Sequence, residues 1–215
     1  MFNQSKLQAI KAAIVPQNEA LPGRNEEMKI TAVHAVNNQD MKKSLQANEE
    51  RIILGMGCFW GAERKLWNTP GVTVTSVGYA GGYTLNPTYE EVCSGATGHA
   101  EVVNVIFDRD LTSLDAVLKV FWENHNPAEG MRQGNDIGTQ YRSAIYTTDE
   151  SQQEVVEKSL NAYQKGLVES GYGEITTECA MIDTYYFAEE YHQQYLHKNV
   201  NGYCGLKGTG VTCSI

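Results

Sequence analysis

The sequence predicts an α+β fold: a two-layer sandwich with a mixed sheet, ferredoxin-like, carrying an N-terminal extension and a glycine-rich C-terminal tail. Three observations lead there. Strand-like and helix-like segments interleave along the chain. Two strand-like segments, "VTVTSVGYAGG" and "AEVVNVIFD", follow each other without a long helix between them, which a purely alternating parallel sheet does not allow. No GxGxxG follows a strand, so the doubly wound alternative lacks its dinucleotide-binding fingerprint.

The elements follow in order. Residues 1–50 are polar, with Pro16, Pro22 and Gly23 as breakers, and read as an extension. Within it, Leu7, Ile10 and Ile14 are spaced for a short amphipathic helix. The α+β domain proper spans 51–200. "RIILGMG" is a short apolar run closed by glycine, a buried strand. "CFWGAERKLWN" is a helix ended by "TPG". "NPTYEEVCSGATGH" is a loop around a short helix. "TSLDAVLKVFWENH" places Leu114, Val117, Leu118 and Phe121 at i, i+3, i+4 and i+7 behind a Thr112 or Ser113 cap. "NPAEGMRQGNDIGTQYR" is a long polar loop, and such loops are often functional. "SAIYTT" and "ITTECAMID" are strands around a helix capped by Thr148 or Asp149. "AEEYHQQYLHKN" is a helix. Residues 201–215 form a mobile tail.

Composition narrows the class. The chain has 215 residues, which suits one domain, and 41% hydrophobic content, enough for an ordinary core. No apolar run approaches the ~20 residues of a membrane span. The N-terminus has no sustained apolar stretch of the secretory kind, so a cytoplasmic location is expected. Net charge is −9, from 17 basic and 26 acidic residues, with no basic stripe. Neither nucleic acid nor membrane is an expected partner. Five cysteines, at 58, 93, 179, 204 and 213, contain no CxxC, so no zinc site and no cofactor is expected. An odd count fits a reducing compartment better than a disulfide framework.

One stretch carries chemistry. "GMGCFWGAERKLW" puts Cys58 at the first turn of a helix that follows a strand and a glycine turn. The unpaired N–H groups and the dipole there favour an anion and lower a thiol pKa. Read alone, Cys58 is either a nucleophile or a small buried hydrophobe, and Phe59 and Trp60 fit core as well as pocket. Glu101, in "GHAEVV", opens an apolar strand. Partial burial there would keep it protonated to higher pH; a solvated edge glutamate is the alternative.

"GCFWG" resembles the signature of the peptide methionine sulfoxide reductase A family. The resemblance continues through "GYAGG", "NPTYEEVCSGATGHAE", "FWENHNPAEGMRQGNDIGTQYRSAIY", "YHQQYL" and "GYCG", and "ALPGR" is similar to the extension of longer bacterial members. It implies an enzyme that reduces the S-epimer of methionine sulfoxide, free or in proteins. It implies Cys58 as nucleophile, Glu101 as proton donor, and Tyr89 and Tyr141 as donors to the sulfoxide oxygen. Asp136 would help hold the substrate, and Phe59 and Trp60 would form an apolar cup for its S-methyl. Cys204 would resolve a Cys58 sulfenic acid, Cys213 would take over the disulfide, and thioredoxin would reduce it. A monomer is expected. Cys93 and His99 have no catalytic role in this reading, Cys179 belongs to the core, and His192 orders its helix. The competing classes are a thiol hydrolase with His99, His125 or His192 as base, a thiol peroxidase, and a peptide-binding module.

Overall fold

The structure is a computed structural model that describes residues 12–215; Leu7 and Ile10, from the expected N-terminal helix, lie outside them. The regular elements are β1 (Glu49–Met56), α1 (Phe59–Trp67), β2 (Val72–Ala80), α2 (Tyr89–Cys93), β3 (Ala100–Asp108), α3 (Leu114–Asn124), β4 (Arg132–Gln133), β5 (Asp136–Ile137), β6 (Ser143–Thr147), α4 (Glu150–Glu169), β7 (Glu178–Met181), β8 (Tyr185–Phe187) and α5 (Tyr195–Lys198). Six strands form one sheet in the order β7-β6-β1-β3-β2-β8, while β4 and β5 pair separately. Neighbours run antiparallel except β6 and β7, so the sheet is mixed.

Period-2 alternation sorts each strand between two cores. On one face Ile52, Leu54 and Met56 of β1 join Val103, Val105 and Phe107 of β3. Against them pack Phe59, Ala62 and Leu66 of α1, Val117, Leu118 and Phe121 of α3, and Val156, Tyr163 and Leu167 of α4. Fully burying a side chain of this size contributes about 1.5–3 kcal/mol, which outweighs the weak propensity of short helices. Helix starts are fixed by side chains: Ser113 Oγ accepts from the Ala116 N–H, and the Asp149 carboxylate from the Ser151 N–H. Thr88 and Glu91 cap α2 reciprocally.

The other face holds Ala100, Val102, Ala144 and Tyr146. Beside them Met41 and Ile30 of the extension cover Val74 and Ile106. Because both faces of β3 are covered, its sequence lacks the polar alternation of a half-exposed strand. No helix among the described residues is long and apolar enough to cross a membrane.

Three expectations change. The helix over "AEEYHQQYLHKN" shrinks to α5, because Gln194 adopts a left-handed backbone with φ 47°. Cys179 is exposed, because β7 is the sheet's edge strand. The long polar loop contains the β4–β5 hairpin, and β8 adds a strand that three residues were too short to signal. The tail from 201 onward has no regular element. It is held by the Tyr172 hydroxyl, which donates to the Thr209 carbonyl (2.9 Å), and by Glu123 Oε1, which accepts from the Cys213 N–H (2.9 Å).

Candidate active site

Strand β1 ends at Met56, and Gly57 follows with a φ of +87°, in the left-handed region. A Cβ there would stand 2.6 Å from the Gln133 side chain, so only glycine lets the β4–β5 hairpin close over the strand end. The chain then turns into α1 with Cys58 as its N-cap residue. Gln133 in turn is tied to the Asn126 backbone at both ends of its carboxamide, 2.9 Å each, and this fixes the hairpin.

Glu101 is the second residue of β3, on the face that carries Val103, so its carboxyl points at the start of α1. The Phe59 N–H donates to Glu101 Oε2 at 3.1 Å. Glu101 is 1% exposed. Burial pushes its pKa up to about 8; the Phe59 bond opposes this, and Asp136 and Glu189 add to it. At neutral pH Glu101 is therefore a buried carboxylic acid.

Cys58 behaves opposite to its expectation. Burial, then the Glu101 charge, push the thiol well above its ordinary range, and Asp136 adds to this. The Trp60 and Gly61 N–H groups favour the thiolate but are outweighed. The helix N-terminus supplies the predicted attraction; burial, which no local pattern shows, outweighs it, and the two nearby carboxyl groups add to the rise wherever they are ionised.

Cys58, Phe59 and Trp60 share one cleft of about 140 Å³ with Glu101, Tyr89 and Tyr141. Asp136 of β5 also lines it. Burial raises both phenols, so Tyr89 and Tyr141 stay protonated donors. Burial raises Asp136 as well. The Tyr141 turn is anchored by buried Arg142, which pairs with Glu178 (2.6 Å) and donates to the Thr139 carbonyl (2.9 Å). Cys204 is not a lining residue, but its sulfur lies 3.0 Å from where a Cβ on Gly61 would stand. Cys213 is elsewhere, 1% exposed, and its thiol is raised to about 11 by burial and by Glu123.

Some site residues escaped the sequence reading. Tyr203 lines the cleft; its place beside Cys204 in "GYCG" was the available signal. Glu189 accepts from the Tyr89 N–H (2.8 Å) and the Tyr79 hydroxyl (2.9 Å), which fixes the start of α2. The Trp60 indole donates to His192 Nδ1 (2.9 Å) and stacks on Tyr195 with centroids 3.9 Å apart. Since Nδ1 accepts, His192 carries its proton on Nε2. Burial lowers it to about 4 and keeps it neutral.

A cysteine at a helix start, a neutral carboxylic acid and two phenols facing one small aromatic-walled cleft are the groups that a thiol-dependent enzyme with its own proton donor requires. The peptide methionine sulfoxide reductase family matches residues 50–212. The peptide methionine sulfoxide reductase MsrA 1 of Synechocystis is 58% identical over 205 residues, 95% of this chain and 92% of that one. That of Pseudomonas aeruginosa is 54% identical, over 98% of each. Among solved structures, methionine sulfoxide reductase A of Corynebacterium diphtheriae superposes with a TM-score of 0.85 at 43% identity, covering 94% of this chain and 99% of the other. The reduced form of Mxr1 from Saccharomyces cerevisiae gives 0.67 at 28%, covering 85% and 99%. The chain belongs to the peptide methionine sulfoxide reductase A family and is an oxidoreductase that reduces methionine sulfoxide.

Proposed function

We propose that this enzyme reduces the S-epimer of methionine sulfoxide through a Cys58 sulfenic acid, and that thioredoxin recycles it through Cys204 and Cys213. The observation that carries the reading is the division of the cleft. Two aromatic rings, Phe59 and Trp60, stand beside the Cys58 sulfur, and three protonated oxygen groups, on Glu101, Tyr89 and Tyr141, line the same space. A methyl group on the rings and an oxygen toward the donors leave one epimer with its sulfur facing Cys58. Asp136 holds the remainder of the substrate. The strand order β6-β1-β3-β2 around α1 and α3 supports a ferredoxin-like reading of the catalytic unit.

The steps balance. The Cys58 sulfur bonds to the sulfoxide sulfur as Glu101 gives its proton to the oxygen, and the thiol proton passes to Glu101. The hydroxyl then moves to Cys58 as methionine leaves, giving sulfenic acid. The Cys204 thiol condenses with it, forms the Cys58–Cys204 disulfide and releases water. Cys213 attacks Cys204, which frees Cys58 as a thiol and leaves Cys204–Cys213. The dithiol of thioredoxin reduces that bond and is itself oxidised. A neutral Glu101 removes one of the two charges that oppose the Cys58 thiolate.

The hydrolase reading needs a histidine at Cys58, and none lines the cleft. His99 accepts from the Gly82 N–H and bonds the Thr84 carbonyl; His125 bonds the Phe121 carbonyl and Ser143; His192 serves Trp60. The test is a peptide bearing each sulfoxide epimer, followed by mass with thioredoxin or dithiothreitol as reductant. Turnover of the S-epimer alone, lost in Cys58→Ser, is expected. Full activity in Cys58→Ser overturns the mechanism.

A further inference from the structure

The sequence stretch "YHQQYL" puts two glutamines between His192 and Tyr195, the residues that hold the Trp60 ring. Both glutamines are fully buried. Gln193 bonds β2: its Oε1 accepts from the Val77 N–H (2.9 Å) and its Nε2 donates to the Val77 carbonyl (2.8 Å). Gln194 turns the other way, on a left-handed backbone that non-glycine residues rarely adopt. Such a backbone persists where the surroundings hold it.

Two groups hold it. Glu63, fully buried on α1 one turn from Trp60, accepts from the Gln194 N–H (2.9 Å) and from Gln194 Nε2 (2.8 Å). The extension supplies the rest. The Ala35 N–H donates to Gln194 Oε1 (3.1 Å), and Met41 Sδ lies 3.3 Å from Nε2. A second chain of bonds reaches Glu63 from the same segment. The Val36 N–H donates to His34 Nδ1, so the His34 proton is on Nε2 and goes to Thr75 Oγ1 (3.0 Å). The Thr75 hydroxyl then donates to Glu63 Oε1 (3.1 Å). Every polar side-chain atom of Gln194 and Glu63 is used, and the extension enters the node twice.

We propose that Gln194 is a positioning residue for substrate binding, and that the extension segment His34–Met41 acts through it and Glu63 to fix the Trp60 wall of the cleft. This rests on the sulfoxide reading in giving that wall the substrate's methyl group. No reacting atom touches Gln194. Its release lets the His192–Tyr195 turn relax, and the indole loses its hydrogen bond and its stacking partner together. Binding suffers, while Cys58, Glu101 and the phenols keep their places.

The test uses the full chain. Gln194→Asn keeps a residue type that tolerates left-handed backbone, but its shorter carboxamide reaches neither Ala35 nor Glu63. His34→Ala cuts one of the extension's two entries, the route through Thr75 to Glu63. Single-turnover reduction of a methionine sulfoxide peptide gives a half-saturating concentration and a limiting rate. Loss of one or two buried hydrogen bonds should raise the former roughly tenfold and leave the latter within about twofold. Acrylamide quenching in a Trp67→Phe background reports Trp60, because Trp122 is fully buried. Quenching should rise in both variants. Adding Glu63→Gln to Gln194→Asn should change little, since both act at one node. Unchanged half-saturation, unchanged quenching, full additivity, or a limiting rate that falls as far as the specificity overturns the proposal. Quenching needs no turnover, so a wild-type chain that reduces no sulfoxide would sink the proposed function while the brace is still judged by the indole.

Discussion

The Phe59 N–H donates to Glu101 Oε2 at 3.1 Å, and this bond ties the first residue of α1 to the buried carboxyl of β3. It places the acid beside Cys58 and leaves one carboxyl oxygen for a proton. With its pKa near 8, Glu101 is protonated below that value and lost as a donor above it. The limiting rate of sulfoxide reduction should therefore fall as pH rises through about 8. Glu101→Gln should lower it ~100- to 10,000-fold and abolish that limb. Stopped-flow single turnovers across pH 6–9 check both; a limb that survives in Glu101→Gln assigns it to another group.

Stability should carry the same signature in a defined window. Burial raises Glu101 to about 8 and Glu63 to about 7, both from 4.5. Between 4.5 and these values the folded chain holds protons that the unfolded chain has lost, so stability falls as pH rises. The buried histidines act in the opposite sense. His34, His125 and His192 are lowered from 6.5 to about 4, so their contribution is lost as pH falls through that range. Above 6.5 the histidines no longer oppose the glutamates. Urea unfolding should show a decline from pH 6.5 to 8, flattened in a Glu101→Gln, Glu63→Gln double variant. A decline of wild-type size in that variant rejects the assignment.

Gly61→Ala separates the two chemical stages. The added Cβ would stand 3.0 Å from Cys204 Sγ and 3.1 Å from Leu206 Cβ, so the tail must shift, and the atoms it meets first belong to the tail rather than to Cys58. Sulfoxide reduction should proceed at the wild-type rate. Disulfide formation should slow roughly tenfold, the cost of losing close approach. Dimedone trapping of the sulfenic acid measures this, and wild-type trapping yields would count against Cys204 as the resolving thiol.

The phenols should act without titrating. Tyr89→Phe and Tyr141→Phe each remove one donor to the sulfoxide oxygen and should lower the rate roughly 10²- to 10³-fold. Because both hydroxyls stay protonated well above neutrality, neither change should move the limb near pH 8. A shifted limb would mean that the phenol, not Glu101, sets it.

Cys213 should be the slow thiol of the tail. It is buried, its N–H is held by Glu123, and its pKa is raised to about 11. Cys204 should alkylate first with iodoacetamide at pH 8, and Glu123→Gln should speed Cys213 by freeing the segment and removing the charge. Mass-resolved labelling reads both, and equal wild-type rates would contradict the buried position.

Strand β3, helix α3 with its Ser113 cap, and the entry of Cys58 into α1 follow from the sequence by itself, because period, capping and glycine turns are set by neighbours a few residues apart. The set of cleft residues was legible only through family motifs. Tertiary structure alone decided what those residues experience. Burial of Cys58, and after it Glu101 and Asp136 brought in from separate strands, reverse the expected direction of its pKa. Gln194 breaks a segment that reads as helix, and there Glu63 and Ala35, distant in the chain, take up its hydrogen bonds. Desolvation and long-range hydrogen bonds depend on groups far apart in the chain, and no local pattern encodes them.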